Sequence, residues 1–410
     1  MNAPHASIDI SLSRAVSMTP AGPSREPLSI RSGRIGASAT AGTYRVDLRD
    51  HLIFPGLINA HEHLQVNCIP PFRKGAPFPN SYVWIEAFQK HFENPAVIAA
   101  LHVSKALRLK HGGLKNLLAG TTCVAHHDPW HSSLDAADFP VTLLRDFGWS
   151  YTLAGPGYGP PLEQSFAATP ADQPWFIHLA EGTDATAQAE LSQLDQIGCL
   201  APNSVLIHGV GLREQDIDRV IAVGAAVVWC PGSNLALLGQ SLDPRRLLAA
   251  GRLALGSDSR LSGARDLLEE MHNVAERQEL DARQLVELVT THAARILRMP
   301  SHGSLATGGP ADMVIVQDRG GDEVESLVGI ERSQIRAVVH AGLPRIADPD
   351  FIEWFAAAGV EAVPVLLDGK PKLLAKSLAE PALLALEPGL ELATQGHERE
   401  RDRSIEARYH

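Results

Sequence analysis

The sequence predicts an α/β fold: a (β/α)8 barrel of the TIM type, with a small β-sandwich domain formed from the N- and C-terminal segments. Three observations carry that prediction. Between about residues 57 and 299, short apolar runs alternate with longer amphipathic stretches, the texture of parallel βα units. On either side, over residues 27–56 and 300–375, the chain turns to short alternating segments punctuated by Gly, which read as β-hairpins. The length of 410 residues, 45% apolar and 20% charged, suits a large barrel plus an accessory domain.

In chain order, residues 1–26 are rich in Ser, Pro and Ala and read as a mobile leader. "LSIRSGRIG" and "TYRVDLRDHLIFPG" then supply the first hairpins. Six barrel strands are legible in "GLINAHEHL", "GTTCVAHHD", "PWFIHLAEG", "SVLIHGVG", "AAVVWCPGS" and "RLALGSDS". "SYTLAG" gives a seventh, and pattern alone does not resolve the eighth. Helical stretches separate them at 95–118, 185–196, 213–223 and 264–278. A doubly wound open sheet is the competing architecture. After residue 299, "HGSLATGGPADMVIVQ", "IRAVVHAGLPRI" and "AVPVLLDGKPKLL" return to short strands, the last with an Asp368-Gly369 turn. The segment 376–410 is charged and reads as a helical or frayed tail.

Composition excludes several classes of function. A formal net charge of −11 disfavours nucleic acid or an anionic membrane as partner. No apolar run is long enough to span a bilayer, and the polar, Pro-broken start lacks a secretory h-region, so the reading is cytoplasmic. Four cysteines without a C-x-x-C pair form neither a disulfide framework nor a thiolate zinc site. The eighteen histidines are more informative, because several sit where strands should end.

In an α/β barrel, functional side chains project from the carboxyl ends of strands. His61 and His63 are two positions apart, on the same side of an extended strand, so both imidazoles can reach one ion. His178 ends another apolar run, with Glu181 three residues on; His208 ends the next, and Asp258 follows a Gly-containing strand end. Each alone is compatible with a structural histidine or a helix cap. His61, His63, His178 and Asp258 at scattered strand ends together point to a metal centre.

"PGLINAHEHL", "HLAE", "IHGVGL", "CPGSNLALLG", "LGSDS" and "GSLATGGPADMVIV" resemble the amidohydrolase superfamily over about residues 50–316. The branch is that of cytosine deaminase, the S-adenosylhomocysteine and guanine deaminases and the triazine hydrolases. The resemblance implies His61, His63, His178 and Asp258 as metal ligands and Glu181 as proton shuttle. It implies His208 as the group that polarises the substrate or positions the water, and the flanking strands as the small β-sandwich. Binuclear relatives usually bridge two ions with a carboxylated lysine; here no lysine lies between Lys115 and Lys370, so one divalent ion is expected, Zn before Fe. Cys123 is the nearest alternative bridge and reads as a buried structural thiol. Trp229 stands where many relatives have His before Cys-Pro.

The implied chemistry is hydrolytic displacement at an sp2 carbon, with Asp258 taking a proton from water and Glu181 relaying it to ring nitrogen and leaving group. His208, as a hydrogen-bond donor, would stabilise the tetrahedral centre. The expected substrate is a small amino-substituted N-heterocycle that loses ammonia. Alternatives are a cyclic amide, imidazolone, formimino or halo-heterocycle hydrolase on the same site, and a non-catalytic barrel scaffold. Candidate substrate-binding residues are Gln65, Trp84 (as a stacking plate), His126 and His127, with Arg73 or Lys74 to meet an anion. His91, His102, His111 and His131 read as surface or helix residues. A homo-oligomer is left open.

Overall fold

The computed structural model describes residues 9–36, 43–72, 75–154 and 157–393. Its centre is eight parallel strands in chain order: β1 (Leu57–Glu62), β2 (Thr121–His126), β3 (Thr142–Leu143), β4 (Gly148–Thr152), β5 (Trp175–Leu179), β6 (Ser204–His208), β7 (Ala226–Trp229) and β8 (Leu253–Leu255). They form two ladders. One runs β3-β2-β1, the other β4-β5-β6-β7-β8. A parallel bridge between Glu62 and Asp258 joins the β1 edge to the segment leaving β8. The strand that pattern could not resolve is β3, two residues long, too short for any periodicity to register. This arrangement is a TIM-barrel-like α/β domain.

Alternation along the strands sorts side chains into two layers. Ile58 and Ala60, Cys123 and Ala125, Val205 and Ile207, and Ala226 and Val228 pack into one buried cluster. Their neighbours Leu57, Val124, Leu206 and Val227 join the larger cluster that also holds the helix residues Leu109, Leu114, Ile217 and Val220. Both faces are covered, so the runs are continuously apolar, as parallel sheets require.

The chain ends build two further sheets. Ile10–Ser13 pairs antiparallel with Leu28–Arg31 and parallel with Tyr44–Asp47. A nine-stranded sheet joins Val16–Thr19, His51–Pro55 and Met313–Gln317 to later strands up to Leu390–Leu392. The expected Asp368-Gly369 turn connects Ala362–Leu367 and Lys370–Ala375, with φ of 48° and 76° at its two residues.

Residues 10–24 are strands, not a mobile leader: Ile10 and Leu12 alternate into the core at 2% and 1% exposure, a two-residue signal hidden among Ser and Pro. Residues 1–8 lie outside the described residues. Residues 376–393 are likewise not frayed, because Glu387 is buried and anchored. His111 Nε2 bonds it at 2.8 Å, Arg260 grips both its oxygens at 2.8 and 2.7 Å, and Arg332 donates to Oε1. His111 is a helix residue as expected, within Lys105–Leu118, but on its buried side, and the terminal β segments extend beyond 27–56 and 300–375. Residues 394–410 are outside the described residues. Among the described residues, no helix is long and apolar enough to cross a membrane.

Candidate metal centre and active site

The carboxyl ends of β1, β5, β6 and β8 converge on one point. His63 Nε2 lies 3.3 Å from His178 Nε2, and Asp258 Oδ1 lies 3.8 Å from His61 Nε2 and 3.7 Å from His63 Nε2. Ligand atoms of His61, His63 and Asp258 fall within 4.8 Å of one another, as do those of His61, His178 and His208. Three strand-end positions in this region have left-handed backbone, with φ of 52° at Ala180, 74° at His208 and 57° at Asp258. Each costs on the order of 1–2 kcal/mol relative to ordinary extended backbone. The kinks turn side chains inward that simple alternation would place elsewhere.

The surrounding hydrogen bonds fix which atoms face the centre. His63 Nδ1 bonds Asp128 Oδ2 at 2.9 Å, His178 Nδ1 bonds the Tyr151 carbonyl at 2.8 Å, and His208 Nδ1 bonds Asn234 Oδ1 at 2.8 Å. Each bond engages Nδ1 and leaves Nε2 as the ring nitrogen directed inward. Asp258 Oδ2 accepts from Ser233 and Ser262, both at 2.7 Å, which leaves Oδ1 for the centre. Both ring nitrogens of His61 are buried without a hydrogen-bond partner. Orphaned nitrogens of that kind, beside three oriented imidazoles and an oriented carboxylate, fit a divalent cation.

The electrostatics agree. Burial, reinforced by the neighbouring histidines, holds His61 well below the ordinary imidazole range and pushes His178 down to about 3, so both imidazoles are neutral at pH 7. Burial also disfavours charge on His63, but the charge and hydrogen bond of Asp128 outweigh it and raise the imidazole to about 9. The carboxylates thus favour positive charge at this point. Burial raises Glu181, with the charge of Asp258 adding and His208 and Trp84 opposing.

A cavity of about 830 Å³ opens onto the cluster; its wall includes His63, His178, Glu181, His208, Asp258 and Gln65. Trp84 lines it too, but its indole N–H donates to Glu181 Oε1 at 2.8 Å. His126 and His127 do not line it, which corrects their expected role. His127 stacks behind His178 at 4.5 Å with Nε2 on the Ser150 carbonyl, and His126 Nδ1 accepts from the Leu64 amide. Alternation named one inward residue of this pair, yet both are sealed beneath the cavity floor. Arg73 and Lys74 lie outside the described residues. Trp229 is fully buried and donates to Ser241 Oγ at 2.8 Å, so the atypical residue packs into the core. Cys123 is buried against Met299, with burial pushing its thiol up.

Sequence reasoning missed Asp128, Ser233, Ser262 and Asn234. Asp128 directly follows "AHH" at the end of β2, a strand-end position, and was the one with a readable signal. Asp128→Asn should weaken metal affinity about 10- to 100-fold, the usual effect of removing a carboxylate that orients a ligating His; competitive chelator titration reads it directly.

Residues 162–345 match the profile of the amidohydrolase family. Over those residues the chain is similar to that family. A 5-methylthioadenosine/S-adenosylhomocysteine deaminase of Nitratidesulfovibrio vulgaris (strain DSM 19637 / Miyazaki F) is 25% identical over 332 residues, 68% of this chain and 74% of that protein. Among solved structures, an atrazine chlorohydrolase from Arthrobacter aurescens complexed with zinc superposes with a TM-score of 0.66 at 17% identity, covering 82% of this chain and 94% of that one. An adenosine deaminase from Xanthomonas campestris with bound zinc gives 0.64 at 20% identity, covering 86% and 97%. Both structures share the fold described here.

Proposed function

We propose that this protein is a metal-dependent aminohydrolase that displaces ammonia from an amino-substituted N-heterocycle. One observation carries the reading: a single cavity wall brings a buried carboxylate, Glu181, beside a cluster of inward-facing imidazoles and one free oxygen of Asp258. His61, His63, His178 and Asp258 would hold one divalent ion, zinc first, and the zinc in both solved relatives supports that choice. When bound, such an ion supplies a water acidified to near neutral pH. Asp258 Oδ1 is the base available to that water, because Oδ2 is occupied by two serine hydroxyls. Glu181, raised by burial, is suited to hold a proton and pass it to ring nitrogen and leaving group. The Asn234 bond holds the His208 ring through Nδ1 and turns Nε2 to the centre, where it would position the water or the substrate.

The names of the curated relatives favour a purine nucleoside with a 5′-substituent. The cavity supports a substrate of that size, with Tyr82, Phe88, Tyr151 and Tyr158 among its walls. The same reading takes the eight strands as a closed barrel, supported by the Glu62–Asp258 bridge, and the terminal sheets as its β-sandwich. A second reading keeps the site and changes the leaving group to halide, which the chlorohydrolase neighbour favours. Assay of amino- and chloro-heterocycles with paired ammonia and chloride detection separates the two. Chelation should abolish ammonia release and zinc should restore it; a chelated protein with full activity, or no ammonia from any ring, would sink the proposal.

A further inference from the structure

We propose that Trp84 is a positioning residue for proton transfer: its indole N–H pins one oxygen of Glu181, so that the other oxygen alone carries the moving proton. This rests on the aminohydrolase reading and deepens it. The indole N–H is a donor with no acceptor capacity, so the oxygen it meets, Oε1 at 2.8 Å, presents a lone pair, and the carbonyl oxygen of a protonated carboxyl, the better acceptor, is the one it selects. Oε2 is left facing His208 Nε2 at 3.8 Å. A carboxyl group that could otherwise flip about its terminal bond is thereby held with one defined working atom.

The segment carrying Trp84 is clamped to the loop carrying Glu181. The Ser81 amide donates to the Glu181 carbonyl at 2.8 Å, and the Thr183 amide to the Pro79 carbonyl at 2.8 Å. Asn80 bridges Gly182, and its side-chain amide donates to Asp184 at 2.6 Å. Tyr82 donates its hydroxyl to the buried Glu190, which also accepts from the Ala180 amide. The approach is close enough that a Cβ on Gly182 would sit 2.7 Å from both the Pro79 carbonyl oxygen and Asn80 Cβ. Asn80 caps the helix Ser81–His91 by accepting from the Val83 amide, which sets where its first turn, and so Trp84, points. Trp84 and Glu181 are therefore held as one unit rather than as a mobile plate over a catalytic carboxylate.

The test is a cycle of Trp84→Phe and Glu181→Gln, with an activity-independent readout. Trp84→Phe keeps an aromatic wall and removes only the donor and part of the ring. In the otherwise native protein it should lower kcat about 10- to 100-fold with KM nearly unchanged and metal content retained. In the Glu181→Gln background the same change should do nothing further to kcat, since the two residues act together. In ¹⁵N-indole spectra, the resonance that disappears in Trp84→Phe should be the one that moves upfield in Glu181→Gln. A raised KM with unchanged kcat, additive losses, or an indole resonance indifferent to Glu181→Gln would each overturn the proposal. Should the native protein release ammonia from no ring, the aminohydrolase reading fails, and the indole resonance still decides whether Trp84 holds Glu181.

Discussion

Glu181→Gln is expected to lower kcat by about 10²- to 10⁴-fold while leaving the metal in place. The substitution keeps the shape of the side chain and an oxygen for the Trp84 indole, and removes only the group that gains and loses a proton. At about 1.4 kcal/mol per tenfold, that is roughly 3–6 kcal/mol of transition-state stabilisation. Metal should persist because Glu181 belongs to neither close ligand grouping. Elemental analysis and steady-state kinetics on one preparation read both arms. Retained metal with near-native turnover would remove the proton-shuttle role. Loss of metal would instead make Glu181 a ligand, and the assignment of Asp258 and the histidines would need redrawing.

Lys115→Met is expected to destabilise the fold by about 3–5 kcal/mol. Lys115 and Glu62 are both fully buried, with Nζ 2.6 Å from Oε2. Glu62 also accepts from Asn59, Asn67, Asn116 and Ser257. Neutral donors cannot replace the ammonium, so its removal leaves a carboxylate charge buried in a low-dielectric interior. The site lies close by: Asn59 Oδ1 accepts from the Ser257 amide next to Asp258, and Glu62 sits between His61 and His63. Weaker metal retention should accompany the lost stability. Thermal unfolding with the double variant Lys115→Met/Glu62→Gln decides it, since removing both charges should recover much of the loss. An unchanged melting midpoint in Lys115→Met would mean that the pair is not a buried charge pair in solution.

Local pattern was enough to read six of the eight parallel strands with assurance, the alternation of strand and helix, and the strand ends that carry His61, His63, His178, Glu181, His208 and Asp258. Each of those signals occupies fewer than ten residues: an apolar run, then a histidine or an acidic residue where the run stops. Partners across long separations were beyond such a pattern. Asp128 orients His63 from 65 positions away, Ser233 holds Asp258 across 25, and Trp84 reaches Glu181 across 97. The same holds for Ile10–Ser13, whose place depends on Leu28–Arg31 and Tyr44–Asp47 beside it. His126 and His127 were misplaced for a related reason, since alternation fixes direction only along a regular strand and the β1–β2 register shifts at that end. Strand type and the kind of side chain at a strand end are legible from neighbours in the chain. Which nitrogen, oxygen or indole faces the centre is set by hydrogen bonds that exist only once distant strands have closed around it.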